Sequence, residues 1–373
     1  MTTTNVDVHS LPVSLSEALQ MILLYGSEIT LLMDGETGIG KSSLLPAIAK
    51  KHGDQWRKPG QYFATDKYNY LYIDCTTEEI GDRKMKIPVH ATKKLEDYLA
   101  AEWRLDEGKP LVLMLDEFKK CPKALQVLWS RLMQERTIGN VPLPEGSIVF
   151  GTSNLASDGL GDIIKAHEAN RVMRVHVRKS NSKEMYKYAA EQGVEQVLLA
   201  WIASTKQAFA SYLDGNQDSN PYIFHPNRSG QCVTPRSTMR CNYVLQKRHL
   251  VPEHITHTAL AGLIGRAGAD SLMACVNLDD KVMKTEQVIK APTAVPVPDD
   301  ALALILMMIH GAADVETQDE VDAFMQFVDR VPSSEVQSIF FHMLVTSNNP
   351  QKVILVRNNK RLTQWRTENY ELI

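Results

Sequence analysis

Cysteine is scarce and poorly placed for chemistry. The chain has Cys75, Cys121, Cys232, Cys241 and Cys275, an odd number with no C-x-x-C pair. That argues against a disulfide framework and against a cysteine-built zinc site, and it fits a reduced compartment. Long apolar runs are also missing. The longest, 301–309, falls well short of the ~20 residues that cross a bilayer. The first ten residues are polar, without the apolar stretch of a secretory leader. Neither sign of charge dominates. A net charge of −3 argues against broad electrostatic binding to nucleic acid but leaves room for a local basic patch. What remains is a globular, cytoplasmic chain of 373 residues, long enough for about two domains.

What is present centres on Gly35-Glu36-Thr37-Gly38-Ile39-Gly40-Lys41-Ser42, which fits G-x-x-x-x-G-K-[ST] at every fixed position. An apolar run at 28–33 precedes it and reads as a buried strand. A Leu-, Ala- and Ile-rich stretch follows and reads as a helix. Strand, glycine loop and helix together make a phosphate cradle. The glycines let several N–H groups converge on one anion, and the helix N-terminus adds partial positive charge. Lys41 would reach the outer phosphates and the Ser42 hydroxyl would hold magnesium. Pro46 removes one N–H early in this helix, so a kink or a late helix start is expected there.

Residues 11–27 read as a helix capped by Ser14 or Ser16, and 70–74 as the second strand. Residues 82–88 form a basic, flexible excursion, and 95–105 read as an amphipathic helix. The apolar run 110–115 then ends in Asp116-Glu117. A central strand would deliver Asp116 to its carboxyl edge beside the glycine loop. Asp116 would hold magnesium through water or Ser42, and Glu117 would polarise an attacking water. A helix is expected at 123–136, a hairpin at 137–144 and a strand at 147–151, with Thr152-Ser153-Asn154 at its end. Asn154 could contact the γ-phosphate or the attacking water, although residue type alone favours a turn-forming Asn. Arg171, just before a strand at 172–177, and Arg174, within it, are both candidates to reach a neighbouring subunit's nucleotide. Residues 182–205 read as helical. Thr234-Pro235-Arg236-Ser237 starts a helix with Arg236 in its first turn. A cation is poorly placed there unless it meets phosphate. A proline-rich linker at 291–298 precedes three helices, and the basic stretch 352–366 reads as solvated surface.

In this order the motifs resemble the AAA+ ATPases, and within them the MoxR group and its dynein-related neighbours. The stretch 115–122 with Gln134-Glu135-Arg136 resembles the group's Walker B strand and helix, and 137–144 its pre-sensor-1 hairpin. Thr152-Ser153-Asn154 resembles the sensor 1 segment, Asn170-Arg171 the arginine finger and Thr234-Pro235-Arg236-Ser237 the sensor 2 helix. Residues 82–89 fall where the group carries a pore-facing insertion. Lys119-Lys120-Cys121 departs from the group's usual Asn-Arg-Ala. The resemblance covers about residues 11–275. It implies an α/β P-loop core, a five-stranded parallel sheet flanked by helices, followed by an α-helical lid and a helical C-terminal region. The expected division is 1–180 for the core, 181–289 for the lid and 290–373 for an extension.

The resemblance also implies an ATP-hydrolysing ring, usually a hexamer, that remodels a protein partner, often one with a von Willebrand factor A domain. The residues from Gly35 through Ser43 with Asp116 would bind Mg2+-ATP, with Ser42 and Asp116 on the metal. Glu117 would be the base, Asn154 would position water, Arg236 would sense phosphate in cis and Arg171 would act in trans. No N-K-x-D or T-K-x-D segment occurs, so ATP is favoured over GTP. A nucleic-acid motor and a nucleotide-gated scaffold are the rival readings. Arg83, Lys84, Lys86 and the basic C-terminal stretch supply the hints for the nucleic-acid reading. No membrane association is expected.

Overall fold

The computed structural model describes residues 11–54, 62–77, 84–89, 91, 93–99, 103–139, 141–155, 172–347 and 349–368. The chain divides into two compact units, Met1–Lys179 and Ser180–Ile373.

The first unit opens with helix α1 (Leu15–Tyr25). Ser14 caps it: its hydroxyl accepts from the Glu17 amide, and the Glu17 carboxylate accepts from the Ser14 amide. The main sheet is built from β1 (Leu31–Gly35), β2 (Tyr62–Ala64), β3 (Asn69–Asp74), β6 (Leu111–Asp116), β9 (Ile148–Asn154) and β10 (Met173–Val177). Its order is β10-β1-β9-β6-β3-β2. The first five strands are parallel and the edge strand β2 runs antiparallel to β3. The near-continuous apolar runs of β1, β6 and β9 explain this. Strands of that composition are stable only with both faces covered. Helices α1 and α2 (Leu44–Lys51) pack with Leu31, Met33, Val112, Met114 and Phe150 on one face. Helix α3 (Lys123–Glu135) packs with Leu32, Leu71, Leu113 and Leu115 on the other. This is the five-stranded parallel P-loop architecture that the resemblance implies, with one antiparallel strand added.

The register sets the carboxyl ends of the strands in one row. Gly35 pairs with Asn154 and Val177, and Asp74 pairs with Asp116. From β1 the chain moves to β3 on one side of the sheet, and from β9 it passes to β10 on the other. The reversal falls at β1, where open α/β sheets bind ligands.

Two local expectations are corrected. Residues 84–89 and 94–99 are not an excursion followed by a helix. They are strands β4 (Lys84–Val89) and β5 (Lys94–Leu99), paired antiparallel from Lys84↔Leu99 to Val89↔Lys94. Met85, Ile87 and Val89 recur at the strand period, and the partner strand overrides helical spacing in 95–105. A second, two-stranded hairpin, β7 (Thr137–Ile138) with β8 (Val141–Pro142), lies where a hairpin was expected.

The second unit is helical: α4 (Ser182–Glu191), α5 (Gln196–Ser204), α6 (Pro235–Leu245), α7 (Glu253–Asp279), α8 (Thr285–Lys290), α9 (Ala301–Asp314), α10 (Gln318–Val328), α11 (Ser334–Val345), α12 (Pro350–Asn358) and α13 (Lys360–Glu368). The single helical run expected at 182–205 is broken between α4 and α5, where Gly193 takes a φ of +64°. Helix α7 is long and apolar enough to cross a membrane by length and composition alone. It is kinked at Gly265, and Leu260, Ile264, Leu272 and Met273 are in the core. Helices on both sides of 291–298 contribute to that one core, from Leu198 and Trp201 to Phe324, Phe340 and Leu362. The proline-rich stretch therefore does not separate two cores.

The basic stretch 352–366 is not simply solvated surface. Leu355, Val356 and Leu362 are buried, the buried Lys352 ammonium donates to the Val315 carbonyl, and Arg361 pairs with Asp329. Burial draws the Lys352 pKa down, against the pull of Asp314, Glu316 and Glu320.

The α9–α10 contact is tight at one point. A Cβ on Gly311 would overlap the Phe324 ring. Gly311→Ala should cost about 1–3 kcal/mol by overpacking, read as a lower urea midpoint for the second unit, and adding Phe324→Leu should recover part of it. An unchanged midpoint for the single variant would refute the tight fit.

Candidate nucleotide-binding site

The glycine loop joins the carboxyl end of β1 to a short 3₁₀ turn, Lys41–Ser43, and then to α2. The late helix start follows from Pro46, which sits in the first turn of α2, where an N–H has no intrahelical partner. Gly38 and Gly40 take φ values of +75° and +102°, a region costly for residues with a Cβ. Gly35 is needed for close approach: a Cβ there would lie 2.5 Å from the Val177 carbonyl oxygen and 2.7 Å from Ile39.

Lys41 is 6% exposed. Its Nζ donates to the Gly35 carbonyl at 2.7 Å, the Glu36 carbonyl at 2.8 Å and Asn154 Oδ1 at 3.0 Å. Asn154 is not a turn residue. It is the last residue of β9, and the strand runs three residues past its expected end. Its amide nitrogen donates to Glu117 Oε1 at 2.9 Å and Oε2 at 3.2 Å. The ammonium on one side and the carboxylate on the other fix the orientation of the amide. Glu117 also pairs with Lys120 at 2.9 Å. Lys41, Asn154 and Glu117, from three different segments, thus form one hydrogen-bonded chain.

Asp116 lies beside it. Its Oδ1 accepts from the Thr152 hydroxyl and from the Glu117 amide at 3.2 Å, and its Oδ2 accepts from the Tyr72 hydroxyl at 2.7 Å. Tyr72 and Thr152 carry no sequence signal for this role. Only the strand register brings them there.

The opposite face of the same sheet edge holds a buried ion cluster. Lys119 Nζ makes an ion contact with Asp34 Oδ1 at 2.8 Å, off hydrogen-bond alignment, and Arg174 donates to Asp34 Oδ2 at 3.2 Å. The Lys119 amide donates to Ser153 Oγ at 3.2 Å. His176, paired in register with Asp34, has its pKa lowered by burial, with Asp34 opposing and Lys41 adding to the shift. The two lysines that depart from the MoxR pattern therefore have separate partners: Lys119 meets Asp34 and Lys120 meets Glu117. Nearby, the Cys121 thiol and burial push the Cys75 thiol well above its ordinary range.

The donor set fits a magnesium-bound triphosphate. Among the described residues no cluster of three or more His, Cys, Asp or Glu gathers to hold a metal. Magnesium needs none, because it takes one or two protein oxygens and completes its shell with phosphate and water. Ser42, in the 3₁₀ turn, and Asp116, on β6, are oxygen donors of that kind. Arg171 lies outside the described residues. Arg236 belongs to the second unit, exposed in the first turn of α6, where Thr234 and Ser237 form the capping box.

No protein-family model matches the chain, and no curated protein matches it. Among solved structures it is similar to the Thermotoga maritima RuvB Holliday junction branch migration motor, at 15% identity over 86% of this chain and 89% of that one, with a TM-score of 0.34. It is similar to NtrX from Brucella abortus at 12% identity over 71% and 68%, with a TM-score of 0.31. It is also similar to Hsp104 in its closed state with ATPγS and FITC casein, at 15% identity over 65% and 46%, with a TM-score of 0.39. At these values the likenesses carry no argument; the functional reading rests on the site itself.

The ion cluster has a measurable consequence for stability. Asp34→Asn leaves Lys119 buried and uncompensated, which should cost about 3–5 kcal/mol and lower the denaturant midpoint of the first unit. Lys119→Met in the same background should recover much of the loss, since the buried lysine charge is then gone and only the partly exposed Arg174 has lost Asp34. A single variant as stable as wild type would refute the cluster.

Proposed function

We propose that the protein is an ATP-hydrolysing AAA+ motor. The observation that carries this reading is the chain from Lys41 through Asn154 to Glu117. It links a phosphate-binding lysine to a carboxylate base through one amide. In the working site, Lys41 exchanges backbone carbonyls for phosphate oxygens, and the loop amides from Gly35 to Ser43 surround the same anion. Magnesium, held by Ser42 and Asp116, supplies charge neutralisation at the phosphates. Glu117 takes the proton from the attacking water, and Asn154 orients that water from beside the base.

Assembly into a ring, a hexamer in the resembled group, follows from the need for an arginine from a neighbour. Arg174 is engaged by Asp34 of its own chain, which favours Arg171 for the trans role and leaves Arg236 to sense phosphate in cis. Remodelling of a protein client, with a von Willebrand factor A-type partner, is supported by motif order. The β4–β5 hairpin adds support, since it occupies the stretch between β3 and β6 where the resemblance implies an inserted element. Free cysteines throughout suit the cytoplasm.

Lys41→Ala should abolish measurable ATP binding. Glu117→Gln should keep binding and lower the hydrolysis rate by ~10²-fold or more, the usual worth of a positioned base. Equilibrium binding of a fluorescent ATP analogue and phosphate release read the two variants, and light scattering with and without Mg2+-ATP reads assembly. A Glu117→Gln variant that hydrolyses ATP at the wild-type rate would remove the base assignment. Wild-type protein that binds no ATP would remove the whole reading.

A further inference from the structure

Asp116 stands at the end of β6 with donors on both carboxylate oxygens. One of these donors comes from a residue to which no role has been given. Tyr72 lies on β3, the strand next to β6, two residues before Asp74, which pairs in register with Asp116. In a strand, residues two apart share a face. Tyr72, Asp74 and Asp116 are therefore on one side of the sheet, and the long phenol side chain spans the two-residue offset to place its hydroxyl 2.7 Å from Asp116 Oδ2. Thr152, lateral to Asp116 on β9, donates to the other oxygen. The two hydroxyls bracket the carboxylate from the flanking strands.

We infer that Tyr72 is a positioning residue for the metal carboxylate, and this rests on the nucleotide-site reading above. A carboxylate at a strand end has free rotation about its last bond. Donors on both oxygens remove that freedom and leave one lone pair, on Oδ2, for the metal's water shell. The contact the structure gives Tyr72 here is with Asp116, not with a ligand. Tyr72 acts through Asp116, as outer partners of metal ligands generally do. A phenol is suited to this place. It donates one strong hydrogen bond to an anion and carries no positive charge, so it orients Asp116 without offering the carboxylate a competing cation.

The neighbouring tyrosine on the same strand provides the control. Tyr70 is two residues earlier, and its hydroxyl donates to Asp54 at 2.6 Å instead. The experiment uses the full chain. ATP hydrolysis is measured at saturating ATP against free Mg2+ for wild type, Tyr72→Phe and Tyr70→Phe, and ATP binding is measured separately in excess chelator. For Tyr72→Phe the half-saturating Mg2+ concentration should rise roughly 10-fold, the lower end for loss of an outer partner. The maximal rate at high Mg2+ should stay within about twofold, and metal-free ATP binding should not change. Tyr70→Phe should leave the Mg2+ curve in place. Thr152→Val, which removes the other donor, should shift the curve in the same direction as Tyr72→Phe.

A Tyr72→Phe curve that coincides with wild type overturns the inference. A fall in maximal rate with no shift in Mg2+ dependence also overturns it, because that outcome reports a structural defect. If wild type itself shows no ATP hydrolysis, the nucleotide-site reading fails first, and the two failures are distinct.

Discussion

The Lys41 ammonium is a cation in the interior, and the site is organised around keeping it there. An isolated buried charge is costly, and a lysine so placed must be surrounded by acceptors or lose its proton. Two of its acceptors are carbonyls of the glycine loop itself, at Gly35 and Glu36. The third, Asn154, comes from another strand, and it is available only because β9 lies beside β1 with Asn154 opposite Gly35. A slip of one residue would turn Asn154 to the other face of the sheet. The parallel register of the central strands is thus a condition for holding the lysine, and the apolar runs of β1, β6 and β9 that bury the sheet also set the chemistry at its edge. If, as proposed, phosphate oxygens replace the two carbonyls, the lysine keeps the same number of acceptors. The cradle can therefore be preformed without being blocked.

The surrounding charges are sorted by face. On one side of the sheet are Asn154, Thr152 and Asp116. On the other are Asp34, Ser153, Arg174 and His176, joined by Lys119. Strand alternation separates them. Asp34, one residue before Gly35, is turned to the face opposite Asn154, away from the proposed phosphate cradle, where a carboxylate would repel an anion. It is neutralised on the far side by Lys119 and Arg174. Lys119 and Lys120 belong to a 3₁₀ turn, Phe118–Lys120, whose tight pitch sends successive side chains about 120° apart. Adjacent lysines can therefore serve opposite faces. The Lys119-Lys120 pair in place of Asn-Arg builds an ion cluster under the loop and places a cation on Glu117.

Much of this was legible in the sequence where spacing is rigid. The glycine loop has a fixed length because its backbone must turn around one anion, and the strands announce themselves by apolar runs. The places of Asp116, Glu117 and Asn154 at strand ends were readable because they end such runs. What the sequence hid are relations between distant segments. Nothing at Tyr72 signals a hydroxyl aimed at Asp116, since that contact spans 44 positions and depends on which strands are neighbours. The Lys119–Asp34 contact is hidden for the same reason. The β4–β5 hairpin was missed because 95–105, read alone, has leucines at helical spacing, and only the alternation in β4 supplies the competing partner. The proline-rich stretch 291–298 looked like a linker by composition, but the helices on its two sides bury their faces in one core, and composition does not report which faces meet.

The last feature concerns how two neighbouring acids can share one side of a sheet. In a regular strand Asp116 and Glu117 would point to opposite faces. Their partners on β9, Thr152 and Asn154, are two residues apart and therefore on the same face. The mismatch is resolved at Glu117, which leaves the strand in the left-handed region with a φ of +54°, an arrangement that costs a residue with a Cβ about 1–2 kcal/mol. The turn brings Glu117 round to the side of Asp116, where Asn154 receives it. Strain of this kind persists only where the surroundings over-determine it. Here the Glu117 amide is bonded to Asp116, its carboxylate to Asn154 and Lys120, and its carbonyl to the Lys120 amide. The cost is local and the gain, on the proposed reading, is chemical: the acid assigned to the metal and the acid assigned as base, adjacent in sequence, come to one side of the sheet.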